Sequence, residues 1–196
     1  MIDQAKAGGR QIAESAARLI AATGAHPNHI TIAAMLLNAG VAVVIGLGYI
    51  QIGGALVLVV ALIDTLDGAL ARITQKTTTF GAFLDSVIDR YSDMLMLFGL
   101  LIWYAKIDQI FYMGLTGMVI VGSVMTSYTR ARAESMIRKC KVGFMERPER
   151  IVLVMIGAFT NRMGAVLWVI LILSVVTVLD RIYFTWRTLR SGRVTA

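Results

Sequence analysis

Asp64-Thr65-Leu66-Asp67-Gly68-Ala69-Leu70-Ala71-Arg72 is followed, after eight residues, by Gly81-Ala82-Phe83-Leu84-Asp85-Ser86-Val87-Ile88-Asp89. The first stretch closes an apolar run that begins near Gly53, and the second opens another that continues to Ala105. Asp64 and Asp67 are three residues apart and Asp85 and Asp89 four apart, so each pair shares one helix face. Asp93 extends the second stripe by another turn. Two antiparallel helices joined by a short connector bring both pairs to the same end.

The rest of the chain says what surrounds them. Of 196 residues, 57% are hydrophobic and only 16% charged, and the mean hydropathy is +0.72. A soluble domain of this length carries more charge. Several apolar runs approach or exceed the roughly 20 residues a helix needs to cross a bilayer. The expected fold is therefore an all-α integral membrane protein in one domain over residues 1–196. It has six transmembrane helices, at about His29–Gly48, Gly53–Arg72, Phe80–Ala105, Gln109–Arg138, Pro148–Thr160 and Gly164–Trp186. They form a bundle over about 29–186, with an amphipathic surface helix at about 10–22 that places Ile12, Ala16, Leu19 and Ile20 on one face. Pro27 suits the first turn of the first membrane helix.

The formal charge of +7 is unevenly distributed. In this layout Lys6, Arg10, Arg18, Arg72, Lys76, Arg130, Arg132, Arg138, Lys139, Lys141, Arg147, Arg150, Arg181, Arg187, Arg190 and Arg193 fall on one side, and Lys106 and Arg162 on the other. The basic side is expected to be cytoplasmic, with both termini and the aspartates on it. In a membrane protein such a basic face points to anionic lipid and phosphate-bearing substrates rather than nucleic acid. The single cysteine, Cys140, excludes an internal disulfide, and Met1–Arg10 lacks the apolar core of a secretory signal.

Carboxylates beside lipid are costly, at about 2.5–3.5 kcal/mol each at mid-bilayer, and four of them repel one another. Arg72 and Arg90 do not neutralise four aspartates, whereas hard divalent cations do. Oxygen-only ligands select Mg²⁺, with Mn²⁺ as a substitute, over zinc. Asp64, Asp67, Asp85 and Asp89 suit two ions that clamp a diphosphate and stabilise the leaving oxygen.

The pattern D-x-x-D-G-x-x-A-R, eight residues, G-x-x-x-D-x-x-x-D is complete from Asp64 to Asp89. It resembles the signature of the CDP-alcohol phosphatidyltransferase family. The resemblance implies a CDP-diacylglycerol-type lipid donor, release of CMP, and a homodimer in membrane lipid. It also implies that Asp64, Asp67 and Asp85 bind metal while Asp89 binds metal or serves as the base. Gly68, Ala71, Arg72 and Gly81 would line the CDP site, and Asn28 and Thr31 would add nucleotide contacts.

Arginines gather where an acceptor would enter. The stretches Ser127-Tyr128-Thr129-Arg130-Ala131-Arg132-Ala133-Glu134 and Glu146-Arg147-Pro148-Glu149-Arg150, with Arg187 and Arg190, lie on the aspartate side. Guanidinium groups grip phosphate through paired hydrogen bonds, which favours a phosphorylated polyol over serine, choline or ethanolamine. The same stretches resemble the branch that makes phosphatidylinositol phosphate or its archaetidyl equivalent. By that resemblance Arg132, Arg150 and Arg187 hold the acceptor phosphate, with Arg130, Arg147 and Arg190 as near substitutes. Phosphatidylglycerophosphate synthesis from glycerol 3-phosphate is the alternative reaction. A metal-ion transporter is disfavoured because Met94-Leu95-Met96-Leu97-Phe98 closes the route beyond Asp93.

Overall fold

The computed structural model describes residues 27–73 and 78–191, with side chains for 32–63 and 78–191. Among these residues the chain forms six helices and no strand: α1 (Pro27–Gly46), α2 (Ile50–Ile73), α3 (Thr79–Lys106), α4 (Ile110–Glu134), α5 (Arg147–Thr160) and α6 (Met163–Arg190). The expected surface helix at 10–22 lies outside the described residues. Pro27 opens α1, where its missing N–H costs nothing.

Most boundaries follow the expected ones, but α4 stops four residues before Arg138. Ser135 caps it, and the Glu134 carboxylate turns back to accept the Cys140 N–H at 3.3 Å. Asn161 ends α5 in the left-handed conformation that Asn tolerates. Gly48, with φ +99°, makes the turn between α1 and α2, which a side chain would strain.

The bundle turns the usual distribution of polarity outward. Leu36 is 68% exposed and Ile110 72%, and Val43, Ile52, Leu62, Phe98, Val121, Ile172 and Leu179 are exposed as well. Ser92, Thr116, Ser123, Thr126, Ser174 and Thr177 are buried. An apolar exterior of this extent over a partly polar interior fits lipid contact and not water. Among the described residues α4 and α6 are both long and apolar enough to cross a bilayer. α5 has 14 residues, about 21 Å of helix, which is short of a hydrocarbon core by itself.

Helices approach closely where side chains are small. α1 and α3 run parallel, and a Cβ on Gly99 would stand 2.3 Å from the Ala42 carbonyl oxygen. Lys106 Nζ, at the end of α3, donates to the Gly46 carbonyl at 3.0 Å, placing a cation on the negative end of α1. α4 and α6 also run parallel, with Gly164 against Tyr112 near one end and Arg181 against Thr126 near the other. α2 packs on α1 and α5. An apolar core of Val41, Leu97, Leu100, Val119, Leu167 and Ile170 fills the end of the bundle away from the aspartates.

Gly99→Leu should therefore separate α1 from α3. We expect its melting temperature in detergent to fall by several degrees or the folded yield to collapse. Gly117→Ala, where an added Cβ meets nothing within 4 Å, should melt with the parent chain.

Candidate active site

At the opposite end lies a cavity of about 310 Å³. α3 gives it Asp85, Ser86, Asp89, Arg90 and Asp93, and α4 gives Thr126, Ser127, Arg130 and Glu134. The first turn of α5 gives Arg147, Pro148 and Arg150, beside Met145 and Glu146, and α6 gives Arg181. Carboxylates thus predominate on the α3 wall and guanidiniums on the facing one.

α3 begins at the cavity for a local reason. Thr78 is its N-cap, and the threonine Oγ1 accepts the Gly81 N–H at 2.9 Å. From there Asp85, Asp89 and Asp93 descend one face at successive turns. Asp85 is exposed, Asp89 half-buried and Asp93 buried.

α5 begins at the cavity through a capping box. Glu146 and Glu149 exchange side chain and backbone hydrogen bonds across its first turn, with Pro148 fixing the backbone there. α5 runs parallel to α3, so its cations meet the aspartates in order. Arg147 Nη1 donates to Asp89 Oδ1 at 2.5 Å, and one turn on Arg150 Nη2 donates to Asp93 Oδ2. Arg150 is 1% exposed and Asp93 6%. Arg150 Nε and Nη1 and Asp93 Oδ1 have no hydrogen-bond partner among the described residues. A buried guanidinium with spare donors at the wall of a cavity is built to take an anion's oxygens.

A second cluster fixes the mouth. The Glu146 carboxylate receives Arg130 at 2.6 Å and Arg181 at 3.0 Å. Arg181 is buried, and it also donates from Nε to the Val142 carbonyl at 3.0 Å and from Nη1 to the Thr126 carbonyl. It thereby joins α6 to α4, to the loop before α5 and to the cap of α5. That loop is anchored in turn by the Met145 N–H on Thr177 Oγ1 at 2.9 Å. Gly143, with φ +92°, turns it against Thr177 and Arg181, where a side chain would collide.

The residues expected from sequence are distributed as follows. Asp85, Asp89 and Arg150 line the cavity, and so do Arg130 and Arg147. Arg132 instead borders a separate groove on the other side of α4. Arg187 is exposed on the last turns of α6 and borders neither space. The trio Arg132, Arg150 and Arg187 is therefore split. Gly81 occupies the first turn of α3. The side chains of Asn28, Thr31, Asp64, Asp67, Ala71 and Arg72, and the surroundings of Gly68, lie outside the described residues. No set of three acidic, histidine or cysteine side chains suited to a metal occurs among those that are described.

A scan against family descriptions matches residues 25–179 to the CDP-alcohol phosphatidyltransferases. The chain belongs to this membrane-bound enzyme family. Archaetidylinositol phosphate synthase of Pyrococcus horikoshii is 34% identical over 184 residues, 93% of this chain and 95% of that one. Phosphatidylinositol phosphate synthase of Mycobacteroides abscessus is 36% identical over 149 residues, 69% of this chain and 66% of that one. The crystal structure of the Mycobacterium tuberculosis phosphatidylinositol phosphate synthase with CDP-DAG bound superposes with a TM-score of 0.84 at 32% identity. The match covers 90% of this chain and 94% of that one. A second structure of that enzyme, in complex with manganese and citrate, gives 0.83 at 32% identity, covering 89% and 88%.

The E-R-P-E-R stretch marks its arginines in the sequence but not their partners. Asp93 and Arg150 lie 57 positions apart, and only the parallel packing of α3 and α5 joins them. The available signal was the matched spacing: Asp89 and Asp93 one turn apart, Arg147 and Arg150 one turn apart. For Arg181, the signal was a cation beside Asp180 at the end of a long apolar run of α6.

Arg150→Ala leaves the Asp93 carboxylate buried and alone, which costs about 3–5 kcal/mol where the fold has no other way to hydrate it. Thermal unfolding in detergent should show a marked loss. Asp93→Asn combined with Arg150→Gln should recover much of it, because neither residue is then charged.

Proposed function

We propose that this chain transfers the phosphatidyl group of a CDP-diacylglycerol-type lipid to an inositol phosphate, releasing CMP, with help from divalent metal. The observation that carries the reading is the two-sided cavity: carboxylates of α3 on one wall, guanidiniums of α4 and α5 on the other. Such a space accepts a cation-bridged diphosphate and a second phosphate at once.

The residues present fit a metal site. Asp85 and Asp89 offer only oxygen donors, on adjacent turns, at an open cavity. Val60 and Ala61 of α2 border the same small cleft as Ser92 and Asp93 of α3. α2 continues past Ala61 through positions 64 and 67, while α3 rises from Asp93 through Asp89 to Asp85. Helix register thus supports the four-aspartate set Asp64, Asp67, Asp85 and Asp89. These residues would hold two Mg²⁺ ions, or Mn²⁺, and the chemistry supplied there would be neutralisation of the diphosphate and stabilisation of the leaving oxygen. The manganese complex of the mycobacterial relative supports divalent metal.

The protein's own groups do the rest. Asn28, Thr31, Gly68, Ala71, Arg72 and Gly81 are assigned to the CDP moiety, where small residues let the nucleotide lie close to the helices. Arg150 takes the acceptor phosphate through its spare donors, and Arg130 and Arg147 add positive charge beside it. Asp89 receives the proton of the acceptor hydroxyl, whose oxygen attacks the lipid-bearing phosphorus as the bond to CMP breaks. Arg147 holds the Asp89 carboxylate in place at the cavity wall. The lipid tails stay in the bilayer.

Both the Pyrococcus and the mycobacterial relatives are named for an inositol phosphate product, which supports that acceptor over glycerol 3-phosphate. They differ in the lipid. We further assign six membrane crossings, a plasma membrane location, both termini and the cavity in the cytoplasm, and a homodimer. The one-sided distribution of Lys and Arg supports that orientation.

CMP release from CDP-diacylglycerol in liposomes tests the reaction, with inositol phosphate, glycerol 3-phosphate, serine and free inositol as acceptors. Inositol phosphate alone should support rapid turnover, and EDTA should stop it. Rapid release with glycerol 3-phosphate alone would change the acceptor, and no metal-dependent release with any of them would end the proposal. Asp89→Asn should keep less than a tenth of the parent rate. Arg150→Lys should raise the KM for the acceptor at least tenfold and leave that for the CDP-lipid within about twofold, because an ammonium cannot bind phosphate through a planar fork.

A further inference from the structure

Behind the basic wall of the cavity, between the last turns of α4 and α6, lies a second groove of about 330 Å³. Arg181 borders both spaces. Its nitrogens are engaged with Val142, Thr126 and Glu146, so it separates the two.

The groove is apolar within and cationic at its edge. Ile182, Trp186 and Leu189 of α6 face it across Tyr128 and Met136, and all five are exposed. Its two threonines offer little to a polar ligand: Thr129 Oγ1 donates to the Met125 carbonyl at 2.8 Å and Thr185 Oγ1 to the Arg181 carbonyl at 2.7 Å. Arg132 stands at the edge, exposed. Arg130, Arg150 and Arg181 each hold a carboxylate, and Arg132 holds none among the described residues. Arg190 lies over the Trp186 ring at 5.4 Å, adding a second cation on the α6 side.

α4 and α6 are the two helices fit by length and hydropathy to cross a bilayer. Their last turns, carrying these arginines and aromatic rings, sit where such helices leave the hydrocarbon. A peptide would need hydrogen-bond partners that this groove does not offer. An acyl chain needs none, and a phosphate at its head needs a cation at the mouth.

We propose that the groove holds one anionic phospholipid of the surrounding membrane, its chain along Ile182, Trp186 and Leu189 and its phosphate on Arg132. This lipid is separate from the donor and product in the catalytic cavity. Arg132, which does not line that cavity, thereby acquires a role of its own.

The test needs neither donor nor acceptor, so it stands apart from the assay of the reaction. Trp103→Phe with Trp168→Phe leaves Trp186 as the sole tryptophan of the three. The full-length protein is placed in phosphatidylcholine bilayers with increasing fractions of chain-brominated phosphatidylglycerol, or of chain-brominated phosphatidylcholine. Phosphatidylglycerol should half-quench Trp186 at about a fivefold lower mole fraction, the gain one cation gives near an anionic headgroup. Arg132→Gln should make the two lipids equal, and Arg132→Lys should keep most of the difference. Equal quenching in the parent overturns the proposal, as does a preference that survives Arg132→Gln, which would leave Arg132 only the helix-end dipole to complement. Failure of both lipids to quench also overturns it, because a second copy of the chain then covers the groove.

Discussion

Two helices that run in the same direction, α3 and α5, are held in register by carboxylate–guanidinium contacts one turn apart. Asp89 meets Arg147 and Asp93 meets Arg150. The deeper pair is almost wholly enclosed by the bundle, with Arg150 1% and Asp93 6% exposed, so each partner depends on the other. A buried pair of this kind seldom adds net stability over well-packed apolar residues, but breaking it is costly. Its effect is geometric: it sets how far α5 stands along α3, and so which side chains face one another across the cavity. The short length of α5 fits this position, since its first turn has to sit at the level of the aspartates rather than at the end of a full crossing.

The same constraint orders the mouth of the site. Glu146 caps α5 and is itself held by Arg130 and Arg181, which tie that cap to α4 and α6. Three helices thereby converge on one carboxylate beside the cavity. Away from it, small residues take over the work of association. Gly99 lets α1 lie against α3 so closely that no side chain fits between them, and Gly164 does the same for Tyr112 at the far end of α4 and α6. In lipid, where apolar side chains gain little by leaving their surroundings, such close packing and internal polar contacts are what hold helices together.

Chemically, the cavity separates charge. Acidic groups that suit cations stand on α3, and basic groups that suit phosphate stand on α4 and α5. A transfer between two phosphate-bearing substrates needs both, because like-charged reactants must be drawn together before an oxygen can attack phosphorus. The spare donors of Arg150 are available only because Asp93 engages one corner of the guanidinium and orients it.

Much of this was legible in the chain. The hydropathy and the one-sided arginines specified an all-helical membrane protein, and the spacing from Asp64 to Asp89 a paired set of carboxylates, because helical periodicity and the cost of carboxylates beside lipid are local properties; the enzyme family followed from the resemblance of that pattern to the family signature. Asp85 and Asp89 on one face of α3 followed from their separation alone. The partners of the arginines did not. Arg132 and Arg150 look alike in sequence, each in a basic stretch near a helix end, yet Arg150 lines the cavity beside Asp93 and Arg132 borders a different groove. That distinction depends on the rotation of α4 and α5 about their axes and on the parallel register of α3 with α5. Contacts between residues more than fifty positions apart decide both, and no local pattern encodes them.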